Sequence, residues 1–359
     1  MADHAFGGIA IRHLYKIFGP NAEAHVEAVQ NGLSKAELNE RHGHVLGLRD
    51  INIEMPSGSI QVIMGLSGSG KSTLIRHINR LIDPTAGEVL VDGVDVMKMP
   101  EMELRDFRRH QTAMVFQKFA LLPHRSVLDN TIFGLEIQGV SRAKSTETAM
   151  RWLERVGLKG FEQKYPNQLS GGMQQRVGLA RALANDAPVL LMDEAYSALD
   201  PLIRTDMQTV LLDLQKEIKK TIVFITHDLD EALRLGDQIA ILRDGEVIQQ
   251  GSSQDIVLRP ADDYVANFVK EVNRGRVVHV EAIMMPFGAT AVDSGPRIAA
   301  DLTIEEAVRT LASAPEGDIT VVDPLGKPLG IVTFRQLAGA MVNAHEARER
   351  TMAIAATAA

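Results

Sequence analysis

A glycine-rich loop lies between an apolar run and a stretch of helical period. Its residues, GLSGSGKST from Gly65 to Thr73, match the pattern GxxxxGK[ST]. The glycines of this pattern let backbone N–H groups point inward, and the following helix adds its positive end, so the natural guest is a polyphosphate. We expect Lys71 to reach the β- and γ-phosphates and the Ser72 hydroxyl to ligate Mg²⁺. The predicted contacts are Gly65, Ser67, Gly68, Ser69, Gly70, Lys71, Ser72 and Thr73.

Two adjacent carboxylates, Asp193 and Glu194, follow the apolar run Val189–Met192. Because adjacent side chains on a strand point to opposite sides, we expect the two to have different roles. Asp193 is predicted to hold Mg²⁺ through water, and Glu194 to polarise the water that attacks a γ-phosphate. Phosphoryl transfer depends on positioning and charge neutralisation, and this pair would supply both.

Polar side chains also follow two further apolar runs. Gln117 comes after Ala113–Phe116, and His227 comes after Thr221–Thr226. A single glutamine or histidine at a strand end is usually structural. Together with the glycine-rich loop and the acidic pair, however, these residues favour a set that senses the γ-phosphate.

A second anion site is predicted at the segment LSGGMQQR, which begins at Leu169. Ser170 has the character of a helix N-cap, so Gly171 and Gly172 would lie at a helix N-terminus. One nucleotide cannot use two phosphate sites that lie far apart in one chain. The second site therefore indicates a partner chain.

The elements that must position these residues follow an alternating pattern. Almost wholly apolar runs of strand length alternate with segments of helical period, which predicts an α/β fold with a mostly parallel sheet buried on both faces. Ligands of such sheets bind at the carboxyl ends of the strands. Residues 118–185 are rich in helical pattern and predict an inserted helical subdomain. The charged segment 20–47 predicts a short helix, since Ser34 and Glu37 resemble a capping box.

The composition changes after about residue 275. A helical stretch, Thr303–Ala314, is followed by two extended pieces, Asp318–Val322 and Gly330–Phe334, with a turn-rich link between them. The predicted organisation is an α/β domain over residues 1–275, a small α+β unit over 276–345 and a frayed tail over 346–359.

Composition excludes several classes of protein. The 359 residues suffice for one large domain or two to three of about 150 residues each. No cysteine is present, so disulfides, thiolate zinc sites and thiol nucleophiles are excluded. The net charge of −8 gives no global attraction for nucleic acid, which we do not expect as a partner. No run approaches the roughly 20 apolar residues of a membrane helix, and the start lacks a secretory signal, so a soluble protein is expected.

With these motifs in order, residues 8–270 resemble the ATP-binding cassette ATPases. The resemblance implies a P-loop nucleotide-binding domain and a head-to-tail dimer holding two ATP molecules, with the phosphate loop of one copy facing Ser170–Gly172 of the other. It makes Gln117 the Q-loop glutamine, Ser197–Asp200 the D-loop and His227 the switch histidine. The implied catalytic residues are Lys71, Gln117, Glu194 and His227, with Ser72, Gln117 and Asp193 around Mg²⁺ and Asp200 near the nucleotide.

The same resemblance implies an aromatic residue that stacks on adenine. Phe18 occupies that place in the segment YKIFG, and such a stack is worth roughly 1–3 kcal/mol. The usual gap from this aromatic to the phosphate loop is shorter, and residues 20–47 account for the excess. Tyr15 is therefore a second candidate.

The closer resemblance is to the ATPase subunits of bacterial importers of glycine betaine, proline betaine and choline. It is carried by VIMGLSGSGKST, AMVFQKFALLPHRSVLDNT, MDEAYSALDPLIRTDMQ and the helix containing GLSKAEL. It implies a transmembrane permease, an external substrate-binding protein as indirect partner, and a peripheral place on the cytoplasmic face of the cell membrane. Residues 118–130 would receive the coupling helix of the permease. His124 and Arg125 lie there, with ordinary surface positions as the alternative.

The C-terminal segment from Ile319 to Gln336 resembles one CBS repeat. Such repeats normally occur in tandem and bind adenylates, often through a Ser/Thr and an Asp three residues later. Here Gln336 stands where the Asp is expected after Thr333. Two readings stay open, a structural pairing of single repeats across the dimer and a sensor of nucleotide or ionic strength.

The resulting hypothesis is an ATP-hydrolysing subunit of a quaternary amine importer. The alternatives are an importer of another small solute, a non-transport cassette of translation or DNA repair, and an ATP-responsive binding module. Non-transport cassettes usually have two fused cassettes or a long coiled coil, and neither pattern is visible. Intact Glu194 and His227 favour hydrolysis over simple binding.

Overall fold

The computed structural model describes residues 7–117, 119–197, 199–286, 296–311 and 318–341. The chain divides into two compact units, residues 1–250 and 251–359. The boundary at residue 275, taken from the change in composition, stays a prediction, and the predicted tail lies outside the described residues. Among the described residues, no helix combines the length and apolar character needed to cross a membrane.

Between residues 7 and 251, the described residues form two sheets. Their strands are β1 (Gly8–Phe18), β2 (Val45–Pro56), β3 (Ile60–Met64), β4 (Ala86–Val91), β5 (Val94–Asp95), β6 (Thr112–Val115), β7 (Val189–Asp193), β8 (Thr221–Thr226), β9 (Gln238–Arg243) and β10 (Glu246–Gly251). A four-stranded antiparallel sheet has the order β2-β1-β4-β5, and a six-stranded sheet has the order β10-β9-β3-β8-β7-β6. In the larger sheet β9, β3, β8, β7 and β6 pair in parallel, and β3, β7 and β8 are buried at every position. The apolar runs predicted as doubly covered strands are confirmed.

Helices fill the connections between these strands. They are α1 (Val26–Gln30), α2 (Lys35–His42), α3 (Lys71–Ile78), α4 (Glu101–His110), α5 (Val127–Ile137), α6 (Arg142–Arg155), α7 (Gly171–Ala184), α8 (Pro201–Ile218) and α9 (Leu229–Leu235). Helices α5, α6 and α7 all lie between β6 and β7 and pack on one another. This confirms the predicted helix-rich segment 118–185.

The main core of the first unit draws on both sheets and on α3 and α4. Its members include Ile9, Ile11 and Leu14 of β1, Ile63 of β3, Leu74, Ile75 and Ile78 of α3, Phe107 of α4, and Val223 and Ile225 of β8. Helix α3 buries its apolar face here, which fixes the direction of its N-terminus and so of the preceding phosphate loop.

The segment between β1 and β2 folds on a small core of its own. The Ser34 hydroxyl accepts a hydrogen bond from the Glu37 N–H at 3.2 Å, and the Glu37 carboxylate accepts one from the Ser34 N–H at 3.1 Å. This capping box starts α2, as predicted, and α2 brings Leu38 into a cluster with Tyr15, Ile17, Val29 and Leu46.

The second unit contains a small sheet and four helices within its described residues. These elements are α10 (Ser253–Leu258), α11 (Asp263–Phe268), β11 (Met285–Pro286), β12 (Arg297–Ala299), α12 (Ile304–Leu311), β13 (Asp318–Val322), β14 (Pro328–Thr333) and α13 (Phe334–Met341). The strand order is β11-β14-β13-β12, with β12 and β13 parallel. Both predicted extended pieces are strands, and the predicted helix is observed over Ile304–Leu311.

Removal of the Leu38 side chain should destabilise the first unit. Leu38 is fully buried, so we expect Leu38→Ala to lower the free energy of unfolding by about 2–5 kcal/mol. The same change at Leu81, which is 51% exposed, should cost less than about 0.5 kcal/mol. Urea unfolding followed by the fluorescence of Trp152, the single tryptophan of the chain, measures both. Equal effects would contradict the core position of Leu38.

Candidate nucleotide site

A cavity of about 440 Å³ opens beside the carboxyl end of β3. It is bordered by the phosphate loop, the end of β1, the start of β2 and the residues that follow β6 and β7. Its lining residues are Phe18, Lys35, Val45, Leu46, Gly47, Ser67, Gly68, Gly70, Lys71, Ser72, Thr73, Gln117 and Glu194. Residues distant in sequence and predicted to act together therefore meet at one place.

Two glycines of the phosphate loop are required by close backbone approaches. Gly65 has φ 151°, and a Cβ there would lie 2.2 Å from the carbonyl oxygen of Leu242. Gly70 has φ 102°, and a Cβ there would lie 2.8 Å from the carbonyl oxygen of Gly47. The loop is thus pressed between neighbouring strands, and its N–H groups are oriented by its backbone conformation.

The Lys71 ammonium group lies inside this loop. Its Nζ donates hydrogen bonds to the carbonyl oxygens of Gly65 at 2.8 Å and Leu66 at 3.0 Å, and it lies 3.9 Å from the Glu194 carboxylate. Burial lowers the pKa of Lys71, while the charges of Glu194 and Asp193 oppose that shift. The cation is therefore held by the loop that would receive the phosphates.

Asp193 and Ser72 form a pair of oxygen donors. The Ser72 hydroxyl donates to Asp193 Oδ1 at 2.8 Å, and the Arg76 guanidinium lies 3.3 Å from Asp193 Oδ2. Hydroxyl and carboxylate oxygens are ligands that Mg²⁺ prefers, so these residues fit the predicted ion. Among the described residues no cluster of three or more His, Asp or Glu side chains could hold a metal alone. Phosphate oxygens and water would complete the coordination of such an ion.

Glu194 faces a different set of partners. The Gln117 side-chain nitrogen donates to Glu194 Oε2 at 3.0 Å, and His227 Nδ1 lies 3.6 Å from the same oxygen. Glu194 has φ 45°, so it stands outside the extended backbone of β7. The two carboxylates do point to different partners, but the cause is this left-handed turn and not the strand alternation used for the prediction.

The signature residues lie outside the cavity. Ser170 caps α7, its hydroxyl accepting from the Met173 N–H at 3.3 Å, and Gly171 and Gly172 form the first turn. Asp200 caps α8 by accepting from the Ile203 N–H at 3.0 Å. Ser170, Gly171, Gly172 and Asp200 are thus not brought together with the phosphate loop of the same chain. Ala198 of the predicted D-loop lies outside the described residues.

The signature helix and the D-loop helix touch through one side chain. A Cβ on Gly172 would lie 2.7 Å from Ile203 Cγ2. Gly172 therefore leaves room for Ile203, and the two predicted elements share a packing contact.

The two aromatic candidates are placed differently. Phe18 is 40% exposed and lines the cavity. Tyr15 is 7% exposed and belongs to the small core with Leu38 and Val29, where burial raises the pKa of its hydroxyl. Of the two, only Phe18 lines the cavity.

Sequence reasoning missed two cations beside Phe18. Lys16 Nζ lies 5.1 Å from the centroid of the Phe18 ring and donates to the carbonyl oxygen of Asp83 at 2.7 Å. The period of two along β1 places Lys16 and Phe18 on one face, so a signal for this contact was present. Lys35, on the first turn of α2, lines the cavity, and nothing in its segment pointed to that position.

In the second unit, Gln336 acts as a helix cap. Its Oε1 accepts from the Thr333 N–H at 2.8 Å and from the Thr333 hydroxyl at 3.0 Å, and the Gln336 N–H donates to that hydroxyl at 3.2 Å. The Thr333 hydroxyl thus has a partner at the start of α13.

Comparison with known proteins agrees with this geometry. A family model described as ABC transporter matches residues 48–197. The glycine betaine transport ATP-binding protein OpuAA of Bacillus subtilis is 48% identical over 324 residues, which are 90% of this chain and 76% of OpuAA. The glycine betaine/proline betaine transport system ATP-binding protein ProV of Escherichia coli is 52% identical over 275 residues, 77% of this chain and 69% of ProV.

A solved structure shares the fold. The dimeric structure of MJ0796, a bacterial ABC transporter cassette, has a TM-score of 0.59 and 33% identity over 68% of this chain and 98% of its own. The architecture is therefore that of a P-loop ATPase. The chain belongs to the ABC transporter family, as an ATP-binding subunit, which confirms the predicted α/β fold and the predicted transport-coupled ATPase activity.

Alanine substitutions in the phosphate loop should distinguish backbone strain from a steric clash of the added Cβ. Gly68 has φ 80° with open space around its Cβ position, so Gly68→Ala should cost about 1–2 kcal/mol of stability through backbone strain alone. Gly65→Ala also collides with the Leu242 carbonyl, and we expect it to cost about 1–3 kcal/mol more. Urea unfolding of both variants measures the difference. Equal stabilities would refute the close approach at Gly65.

Proposed function

We propose that this chain is the ATP-hydrolysing subunit of an importer of quaternary amine osmoprotectants such as glycine betaine, proline betaine or choline. The observation that carries the proposal is the convergence of the phosphate loop, Gln117 and Glu194 at one cavity, with His227 3.6 Å from the Glu194 carboxylate. The names of OpuAA and ProV support the substrate class. An importer of another small solute would use the same cavity, since the solute is selected by other polypeptides.

The contacts suggest a division of labour in hydrolysis. Glu194 polarises the attacking water, and Gln117 and His227, both within 3.6 Å of its carboxylate, fix its orientation and the position of that water. Lys71 exchanges its carbonyl partners for phosphate oxygens and stabilises the charge that develops on them. Ser72 and Asp193, with Gln117, would hold Mg²⁺, which neutralises charge on the β- and γ-phosphates when bound.

The position of the signature residues supports a head-to-tail dimer. Ser170, Gly171, Gly172 and Asp200 lie outside the cavity of their own chain, so a second copy would place them on the γ-phosphate. The relative MJ0796 is described as dimeric. Closure of the two copies on ATP would drive the permease, and hydrolysis would reopen them.

A second cavity suits the permease contact. It measures about 370 Å³ and lies between β6 and the helices α5 and α7. Apolar side chains dominate its wall: Leu81, Ala113, Met114, Phe116, Ala120, Phe133, Ile137 and Ala182. We assign it to a coupling helix of the permease, which would hold the chain on the cytoplasmic face of the membrane.

Arg125 stacks on Phe133 at 4.9 Å and pairs with Glu136 at 2.6 Å, which favours a structural role for Arg125.

The capping role of Gln336 bears on the C-terminal unit. The Thr333 hydroxyl donates to Gln336 Oε1 and accepts from the Gln336 N–H, so an adenylate would find only its remaining lone pair unless the cap opened. A structural pairing of the units across the dimer is therefore the reading we favour over a nucleotide sensor.

Neutralising Glu194 should separate binding from turnover. We expect Glu194→Gln to lower the ATPase rate by about a hundredfold or more while ATP still binds, because the amide cannot accept the proton of the attacking water. Phosphate release and ATP binding measure the two effects. The control is Glu103→Gln, on the exposed face of α4. Near-normal turnover of Glu194→Gln would refute the assignment.

Loss of the loop cation should abolish uptake. In cells that carry Lys71→Ala, we expect uptake of labelled glycine betaine or choline to fall to background, since the β- and γ-phosphates lose their cation. Lys98→Ala, at a side chain 79% exposed, is the matched control. If Lys71→Ala abolished ATPase activity but left uptake of both amines unchanged, the ATPase assignment would stand and the assignment of quaternary amines as substrates would be refuted.

A further inference from the structure

The segment between β1 and β2 begins and ends beside Phe18, the aromatic platform of the cavity. Phe18 is the last residue of β1, Val45 is the first of β2, and the two are paired across the strands. Both line the cavity. The residues that flank this pair in the chain are Gly19 and His44.

His44 is buried and bound at both ring nitrogens. Its side chain is 5% exposed, with Nδ1 2.7 Å from the carbonyl oxygen of His42 and Nε2 2.7 Å from that of Pro20. The ring therefore lies between the turn after Phe18 and the residues before Val45 and contacts the backbone of both.

The same ring replaces a side chain at Gly19. Gly19 has φ 147°, and a Cβ there would lie 2.3 Å from His44 Cδ2, so the ring rests directly on the Gly19 backbone. On the other side of the platform, a Cβ at Gly47 would lie 2.7 Å from Phe18 Cε2. The Phe18 ring is thus confined by β2, by Lys16 and by a turn that His44 holds in place.

Two further histidines surround His44. The ring of His25 lies 4.4 Å from that of His42 and 4.5 Å from that of His44, measured between centroids. Burial and the neighbouring imidazoles lower the pKa of His25.

We propose that His44 is a positioning residue for nucleotide recognition, which holds the Phe18 ring at the cavity where it stacks on the purine base. The inference rests on the proposed ATP site and deepens it. The inserted segment 20–47 thereby acquires a function, since it supplies the clamp for the base platform.

Binding of two ligands to the full chain tests this role. ATP contacts the platform and the phosphate loop, whereas inorganic tripolyphosphate contacts the loop alone. Titration calorimetry in the presence of EDTA measures both Kd values without hydrolysis. We expect Phe18→Ala and His44→Ala each to weaken ATP binding about fivefold or more and to leave tripolyphosphate unchanged. The double variant should bind ATP no more weakly than Phe18→Ala, because both changes remove the same stack.

The control is His42→Ala, which removes an exposed ring of the same cluster but keeps the carbonyl that His44 binds. It should behave as wild type. Normal ATP affinity of His44→Ala, or additive losses in the double variant, would overturn the role of His44 while the stack at Phe18 stands. Normal ATP affinity of Phe18→Ala would overturn the stack itself. If His44→Ala lost both ligands through misfolding, His44→Leu, which fills the space but donates to neither carbonyl, would decide, and its normal affinity for both ligands would overturn the proposal.

Discussion

The nucleotide cavity depends on a contact between backbones that leaves no room for side chains. Cβ atoms on Gly70 and Gly245 would lie 2.8 Å and 2.7 Å from the carbonyl oxygen of Gly47. The Gly245 N–H also donates to the Ser69 carbonyl at 3.1 Å, and the Gly245 carbonyl accepts from the Arg49 N–H at 2.8 Å. The phosphate loop, the start of β2 and the turn between β9 and β10 are therefore joined at one point. Phe18 pairs with β2, and Lys71 belongs to the phosphate loop. This contact therefore fixes the distance between Phe18 and Lys71.

Charge in the site is arranged in two separate groups around that frame. Asp193 is held by Ser72 and Arg76, whereas Glu194 is held by Gln117 and lies close to Lys71 and His227. In the proposed mechanism this division assigns Asp193 to the metal ion and Glu194 to proton transfer. It depends on the end of β7, where the chain leaves the extended conformation at Glu194. The signature residues do not line the cavity of their own chain, as the proposed head-to-tail dimer requires.

The sequence predicted what local patterns determine. Buried strands appear as apolar runs, the capping box of Ser34 and Glu37 starts α2, and the phosphate loop is recognised by its glycines. It did not reveal contacts that arise only when distant segments pair. The left-handed turn at Glu194 and the carbonyl partners of His44 depend on tertiary packing, as does the position of Lys35 in the cavity. The choice between Phe18 and Tyr15 likewise required the core that buries Tyr15.

The contact between Gly172 and Ile203 has a consequence for the variation of related chains. A branched side chain occupies the volume that any Cβ at position 172 would need. An alanine at 172 requires the Ile203 side chain to move, a smaller residue at 203, or a shift of α8 away from α7. The two positions, 31 residues apart in the chain, should therefore change together during evolution. Their covariation would record a steric constraint within one subunit and is distinct from any selection imposed by the nucleotide.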